Sequence, residues 1–151
     1  MSEFMSLEKT QEAADAVRQR VTIAPRVGLI LGSGLSGVAD AVDADAIIPY
    51  AEIPHIPPAA VEGHVGRLVV GRLQGQNVMV MQGRTHYYEG HSMDEITLMV
   101  RVMQLMDVEM LIVTNAAGGI NPGFTPGDVM IIHDHINLIG MAGLNPLRGP
   151  N

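Results

Sequence analysis

The run Val27-Gly28-Leu29-Ile30-Leu31-Gly32-Ser33-Gly34-Leu35-Ser36-Gly37 changes character abruptly at Gly32. Its first five residues are apolar without alternation, as in a strand covered on both faces. The next residues are small and glycine-rich, and Leu35 to Val42 then reads as a helix. A buried strand, a glycine turn and a helix in that order mark an α/β fold, with the turn at the carboxyl end of the strand.

Working outward, Leu7 to about Arg20 sets Ala13, Ala14, Ala16 and Val17 among charges, the pattern of an amphipathic helix. Ala46-Ile47-Ile48 reads as a short strand. Residues 49–58 hold Pro49, Pro54, Pro57 and Pro58 and read as an irregular surface loop. Val65 to Val70 and Val78 to Met81 read as strands of a hairpin turning around Gln74-Gly75-Gln76. The hairpin makes the sheet mixed rather than purely parallel. Ser92-Met93-Asp94-Glu95 matches a capping box, and Ile96, Met99, Met103, Met106 and Met110 follow at near-helical spacing, best read as core. Met110-Leu111-Ile112-Val113-Thr114 reads as a second buried strand, ending in Asn115-Ala116-Ala117-Gly118-Gly119. Pro126-Gly127-Asp128 is a turn into Val129-Met130-Ile131-Ile132. The expectation is one α/β domain over 1–151, a mixed central sheet flanked by helices. Because Asn151 falls inside a glycine- and proline-rich loop, the domain reads as the N-terminal portion of a longer one. A second methionine at position 5 suggests that residues 1–5 were added ahead of the natural start.

Composition narrows the function classes. A 151-residue chain with 47% hydrophobic and 17% charged residues can bury a core. With only 3% aromatic residues that core must be aliphatic, filled out by 11 methionines. A net charge of −7, with Lys9 the sole lysine, argues against a nucleic-acid partner. It leaves room for a small anion held by local arginine and backbone N–H groups. The absence of cysteine excludes disulfides and thiolate zinc sites. No apolar run is long enough for a membrane span, and the start lacks the order of a signal peptide. The reading is a cytoplasmic protein without a membrane partner.

Three loops carry the chemistry. Gly32-Ser33-Gly34 opens a helix, where unpaired N–H groups and the dipole suit an anion and Ser33 adds a hydroxyl. The same glycines match G-x-G-x-x-G, with Glu52 about 20 positions on, so a dinucleotide-binding oxidoreductase stays open, as does a plain tight turn. Gly83-Arg84-Thr85-His86-Tyr87-Tyr88-Glu89-Gly90 offers a guanidinium fork suited to phosphate in Arg84, a donor or proton in His86, and a flat phenol suited to a sugar in Tyr88. A surface arginine among structural aromatics is the alternative. Asn115-Ala116-Ala117-Gly118-Gly119 has side chains small enough to expose its backbone N–H groups, or to pack strand on helix. His64 in a proline-rich loop reads as an ordinary solvated histidine. His133-Asp134-His135 reads as structural hydrogen bonding, since a two-histidine set lacks a third ligand; no metal site is assigned.

Taken in order, these blocks, with Val61-Glu62-Gly63-His64, Asp134-His135-Ile136-Asn137 and Asn145-Pro146-Leu147-Arg148-Gly149-Pro150-Asn151, resemble the trimeric purine nucleoside phosphorylases from Val27 onward. The resemblance implies phosphorolysis of inosine, guanosine and their deoxy forms to purine and (deoxy)ribose 1-phosphate, with phosphate as co-substrate, no cofactor, and a homotrimeric parent. It implies that Ser33, His64, Arg84, His86 and Ala116 (through its backbone) contact phosphate, that His86 is catalytic, and that Tyr88 lies against the ribose. It places the purine contacts beyond Asn151, so purine preference is not assigned. Thr85 departs from the aromatic residue common at that position. A methylthioadenosine phosphorylase and a catalytically inactive phosphate-binding fragment are the nearest alternatives.

Overall fold

The computed structural model describes residues 6–57 and 65–147. His64, with Val61-Glu62-Gly63 before it, and residues 1–5 and 148–151 lie outside the described residues. In chain order the elements are α1 (Leu7–Arg18), β1 (Val27–Ile30), α2 (Gly37–Asp40), β2 (Asp43–Pro49), a 3-10 turn (Tyr50–Glu52), β3 (Arg67–Leu73), β4 (Gln76–Gln82), a second 3-10 turn (Tyr87–Glu89), α3 (Met93–Leu105), β5 (Met110–Val113) and α4 (Leu138–Met141).

The strands form one mixed sheet of order β2-β3-β4-β1-β5. β3 runs antiparallel to both β2 and β4, whereas β4, β1 and β5 are mutually parallel. The β3–β4 hairpin turns on Gln74 and Gly75, both at positive φ (50° and 78°), the geometry that matches strand twist in a two-residue turn. Parallel strands need crossovers, and the hairpin segment and α3 supply them.

The period-2 rule sorts the hairpin residues onto two faces. Leu68, Val70, Met79 and Met81 join Ala13, Ala14 and Val17 of α1 and Leu98, Met99, Val102 and Met103 of α3 in the main core. Val69, Val78 and Val80 face the other way, under Leu31 and Ala39 of the α2 segment. The long, flexible methionines thus fill the helix side, and valines suffice where one short helix covers the sheet. Both long helices are capped as their sequences require: Ser6 accepts from the Lys9 amide at 3.2 Å, and Ser92 and Glu95 form the expected reciprocal box. Arg18 ties the end of α1 to the Leu105 carbonyl at the end of α3.

Four expectations need correction. The helix after the glycine turn is a single turn, Gly37–Asp40, not Leu35 to Val42. Met110 is not on the helical stripe, because Asp107 at φ 60° ends the helix region and the chain re-enters the sheet. The run Met110–Val113 does form a strand, but all four residues are exposed. β5 is an edge strand and among the described residues pairs only with β1, so an apolar sequence alone did not give it two covered faces. β1 itself alternates buried and half-buried residues, for its second face meets only the α2 side. Beyond Val113, residues 114–137 contain neither helix nor strand, and Ile120, Val129 and Ile131 are at least 90% exposed.

Candidate active site

Because β4, β1 and β5 are parallel neighbours, their carboxyl ends share one edge of the sheet. The loops after them are the three singled out in the sequence, and such an edge is where open α/β sheets bind ligands. Hydrogen bonds knit them together. The Gly32 amide donates to Thr114 Oγ1 at 2.8 Å, and that hydroxyl donates to the Ile30 carbonyl at 3.2 Å. Arg84 donates through Nη1 to the Thr114 carbonyl at 2.7 Å. Arg84 on the β4 loop is therefore linked, through one threonine, to the glycine loop after β1. The approach is close enough to demand glycine: a Cβ on Gly32 would lie 2.5 Å from the Thr114 carbonyl oxygen and 2.8 Å from Asn115 Cα, both backbone atoms that cannot swing away. Gly34, at φ +86°, then turns the chain towards α2.

The base of the β4 loop is fixed from below. Tyr50, fully buried, donates its hydroxyl to the Gly83 carbonyl at 2.6 Å. Burial pushes the Tyr50 phenol well above its ordinary range, which keeps it a donor. Farther along the loop, His86 Nδ1 lies 2.7 Å from Glu89 Oε1, and the same oxygen accepts from the His86 amide at 2.8 Å. The Glu89 side chain is 8% exposed. Its burial would raise its pKa, but the hydrogen bonds from His86, with the charges of His86 and His91, outweigh this and lower it. Glu89 is thus an anionic acceptor that fixes the imidazole tautomer, and any ligand contact of His86 must use Nε2. Glu89 Oε2 is buried and has no hydrogen-bond partner among the described residues. Tyr88 stacks on His86 with ring centres 4.8 Å apart and planes 15° from parallel.

Of the residues expected at the site, Arg84 is half-buried and tied to the β5 loop. Ser33 and Ala116 lie exposed on the loops after β1 and β5, and Tyr88 is exposed beside His86. His64 lies outside the described residues. An open depression of about 490 Å³ borders the Tyr87–Tyr88 turn, lined also by His91, Met93, Leu144 and Asn145. Sequence reasoning passed over Thr114 and Glu89. Thr114 carries no local signal, since its partners are more than 80 residues away. Glu89 did carry one: it stands at capping-box spacing from His86, and both halves of that box form.

Two other expectations meet the structure here. Glu52 lies in the turn after β2, the far edge of the sheet, and pairs with Arg20 at 2.6 Å. It is remote in sheet order from β1, where a dinucleotide's ribose would need an acid, so the G-x-G-x-x-G match lacks its partner residue. His133 and His135 lie on exposed irregular chain, where the His135 amide donates to Asp134 Oδ1 at 2.8 Å. Among the described residues no group of three or more His, Asp or Glu side chains gathers to hold a metal ion, and no helix is long and apolar enough to cross a membrane.

Three parallel strands thus bring a guanidinium, a carboxylate-held imidazole and a glycine turn to the carboxyl-end edge of a mixed sheet in an α/β domain. Residues 26–151 match the phosphorylase superfamily, and the chain belongs to that family. Within it, the chain is 54% identical over 147 residues to purine nucleoside phosphorylase 1 of Geobacillus stearothermophilus, spanning 97% of this chain and 53% of the relative. The crystal structure of the Schistosoma mansoni purine nucleoside phosphorylase in complex with inosine superimposes with a TM-score of 0.88 at 44% identity, over 100% of this chain and 53% of that one. A purine nucleoside phosphorylase in complex with ribose-1-phosphate gives 0.88 at 45% identity, over 99% and 55%. The chain thus spans about half the length of the relatives it matches. The resemblance drawn from its loops holds, and so does the α/β fold with its mixed sheet.

Proposed function

We propose that this protein belongs to an enzyme of purine nucleoside phosphorolysis, and that the sheet edge described above is its phosphate- and ribose-binding half. The observation that carries the reading is the convergence of three loops at adjacent parallel strand ends, with Arg84 bridging to the loop after β5. Relatives solved with inosine and with ribose-1-phosphate supply the substrate class. In the reaction a phosphate oxygen bonds to the anomeric carbon as the bond to the purine nitrogen breaks. The base leaves with that electron pair and takes up a proton, giving purine and ribose 1-phosphate. Positive charge grows on the sugar, as in glycoside cleavage, and phosphate serves as nucleophile and counter-charge. The protein's task is to hold phosphate beneath the sugar.

The assignments follow the chemistry of each group. Arg84 offers a planar fork to phosphate. Ser33 offers a hydroxyl beside the backbone of the glycine turn, and Ala116 a backbone amide on the β5 loop. His86, oriented by Glu89, presents Nε2 as a phosphate donor and proton carrier and is the catalytic candidate. His64 completes the phosphate set, and Tyr88 offers its face to the ribose. No residue of the chain is assigned to the purine. The working form is a cytoplasmic homotrimer that needs no cofactor beyond its co-substrate phosphate.

Hypoxanthine release from inosine, with and without phosphate, tests the reading. Phosphate-dependent release, with ribose 1-phosphate formed in equal amount, is the expected result. Release without phosphate would make the protein a hydrolase. Absence of release together with absence of any phosphate-induced rise in melting temperature would remove the phosphate site itself. A melting shift without turnover would leave a phosphate-binding half-site and no enzyme in this chain.

A further inference from the structure

Gln82 is the last residue of β4, and its side chain is buried to 2% exposure. A buried carboxamide is costly unless each of its groups finds a partner. This one finds them on two other segments. Its Nε2 donates to the Ser36 carbonyl at 2.9 Å and lies 3.0 Å from Ser36 Oγ and 3.2 Å from Asp40 Oδ1. Its Oε1 accepts from Arg67 Nε at 2.5 Å, and Arg67 Nη2 donates to Asp40 Oδ1 at 3.0 Å. The orientation is forced: a guanidinium can only donate and a backbone carbonyl can only accept. The Gln82 carbonyl also accepts from the Gly66 amide at 3.1 Å.

These contacts join residues that stand within three positions of Ser33, His64 and Arg84 in the chain, leaving aside the loop after β5 that carries Ala116. Ser36 stands three residues after Ser33, Gln82 two before Arg84, and Gly66 two after His64. Neither Ser33 nor Arg84 bonds directly to the other's loop through this network, so Gln82 would act through their backbones. We propose that Gln82 is a positioning residue, whose buried carboxamide fixes the loop carrying Ser33 against the strand end carrying Arg84. The inference rests on the phosphate reading of that site for its consequence, though not for the tie itself.

Gln82→Glu keeps the shape and still accepts from Arg67, but cannot donate to Ser36 and confronts Asp40 with a like charge. Adding Asp40→Asn returns a donor to that pair with the polarity reversed. The test measures two things on the 151-residue chain: the affinity for inorganic phosphate, and amide hydrogen exchange with no ligand present. Q82E should weaken phosphate about tenfold. It should speed exchange in 35–42, leaving the α3 amides at their original rates, and D40N/Q82E should recover at least half of the lost affinity on a logarithmic scale. Unchanged exchange in 35–42 overturns the inference, as does exchange quickened equally in α3 with no recovery in the double variant. If the parent chain binds no phosphate, the functional reading fails. The exchange arm then decides alone, with faster exchange confined to 35–42 upholding the tie and unchanged exchange removing it.

Discussion

Val80 and Ile131 each sit in a short apolar run that follows a glycine-containing turn, yet Val80 is fully buried and Ile131 is 90% exposed. The first belongs to the hairpin half of the sheet, where β4 has β3 on one side, β1 on the other, and packed side chains on both faces. The second belongs to the stretch after β5, residues 114–137, which contains neither helix nor strand. Composition hardly distinguishes the two regions. Burial is a property of neighbours, and hydrophobic stabilisation accrues only to area removed from water. The candidate site lies on the seam between the regions: Arg84 and His86 come from the well-packed side, Ala116 from the exposed side, and Thr114 joins them.

Substitutions can break or sharpen this contrast. The largest effect is expected in the packed half. Leu98→Ala removes a fully buried side chain between α3 and the sheet and should cost about 2–5 kcal/mol in urea unfolding. A loss below about 1 kcal/mol would mean that the core is far looser than its burial indicates. Next comes the seam. Arg84→Met keeps much of the side chain's bulk but removes the guanidinium, and phosphate affinity by calorimetry should fall about 10- to 100-fold. An unchanged affinity would remove Arg84 from the phosphate set.

Glu89→Gln should have a smaller and pH-dependent effect. The folded-state pKa of Glu89 lies below its ordinary value, so its ionised form adds stability that is complete above the ordinary glutamate range. That contribution is lost as pH falls through and below that range, where the unfolded chain takes up the proton first. The variant should melt lower at neutral pH, and the gap should close as pH falls through and below the ordinary glutamate range. A gap that widens on acidification would reverse the assigned sign. The smallest effect belongs to the exposed region, where Ile131→Ala should change unfolding by less than about 0.5 kcal/mol. A cost comparable to that of Leu98→Ala would show that Ile131 is buried in solution, and the two regions would no longer differ.

The helices, the hairpin and the glycine turns were legible because each carries a local signal. Ser92 and Glu95 are three residues apart, Gln74-Gly75 sits between two apolar runs, and Gly32 follows an uninterrupted one. Arg84, His86 and Tyr88 stood out for the same reason, being clustered in a chain poor in aromatic residues. Thr114 and Gln82 left no such trace. Gln82 reads as an ordinary polar residue at a strand end, and only pairing with Arg67, Ser36 and Asp40 makes it a buried junction.

What the linear chain determined by itself is therefore the set of elements and the residues at their ends, since periodicity, caps and turn residues act over a few positions. Which strand became central and which became an edge was decided only by tertiary pairing. So was the meeting of the loops after β4, β1 and β5 on one side, because pairing joins residues more than 80 positions apart and no local pattern encodes such a distance.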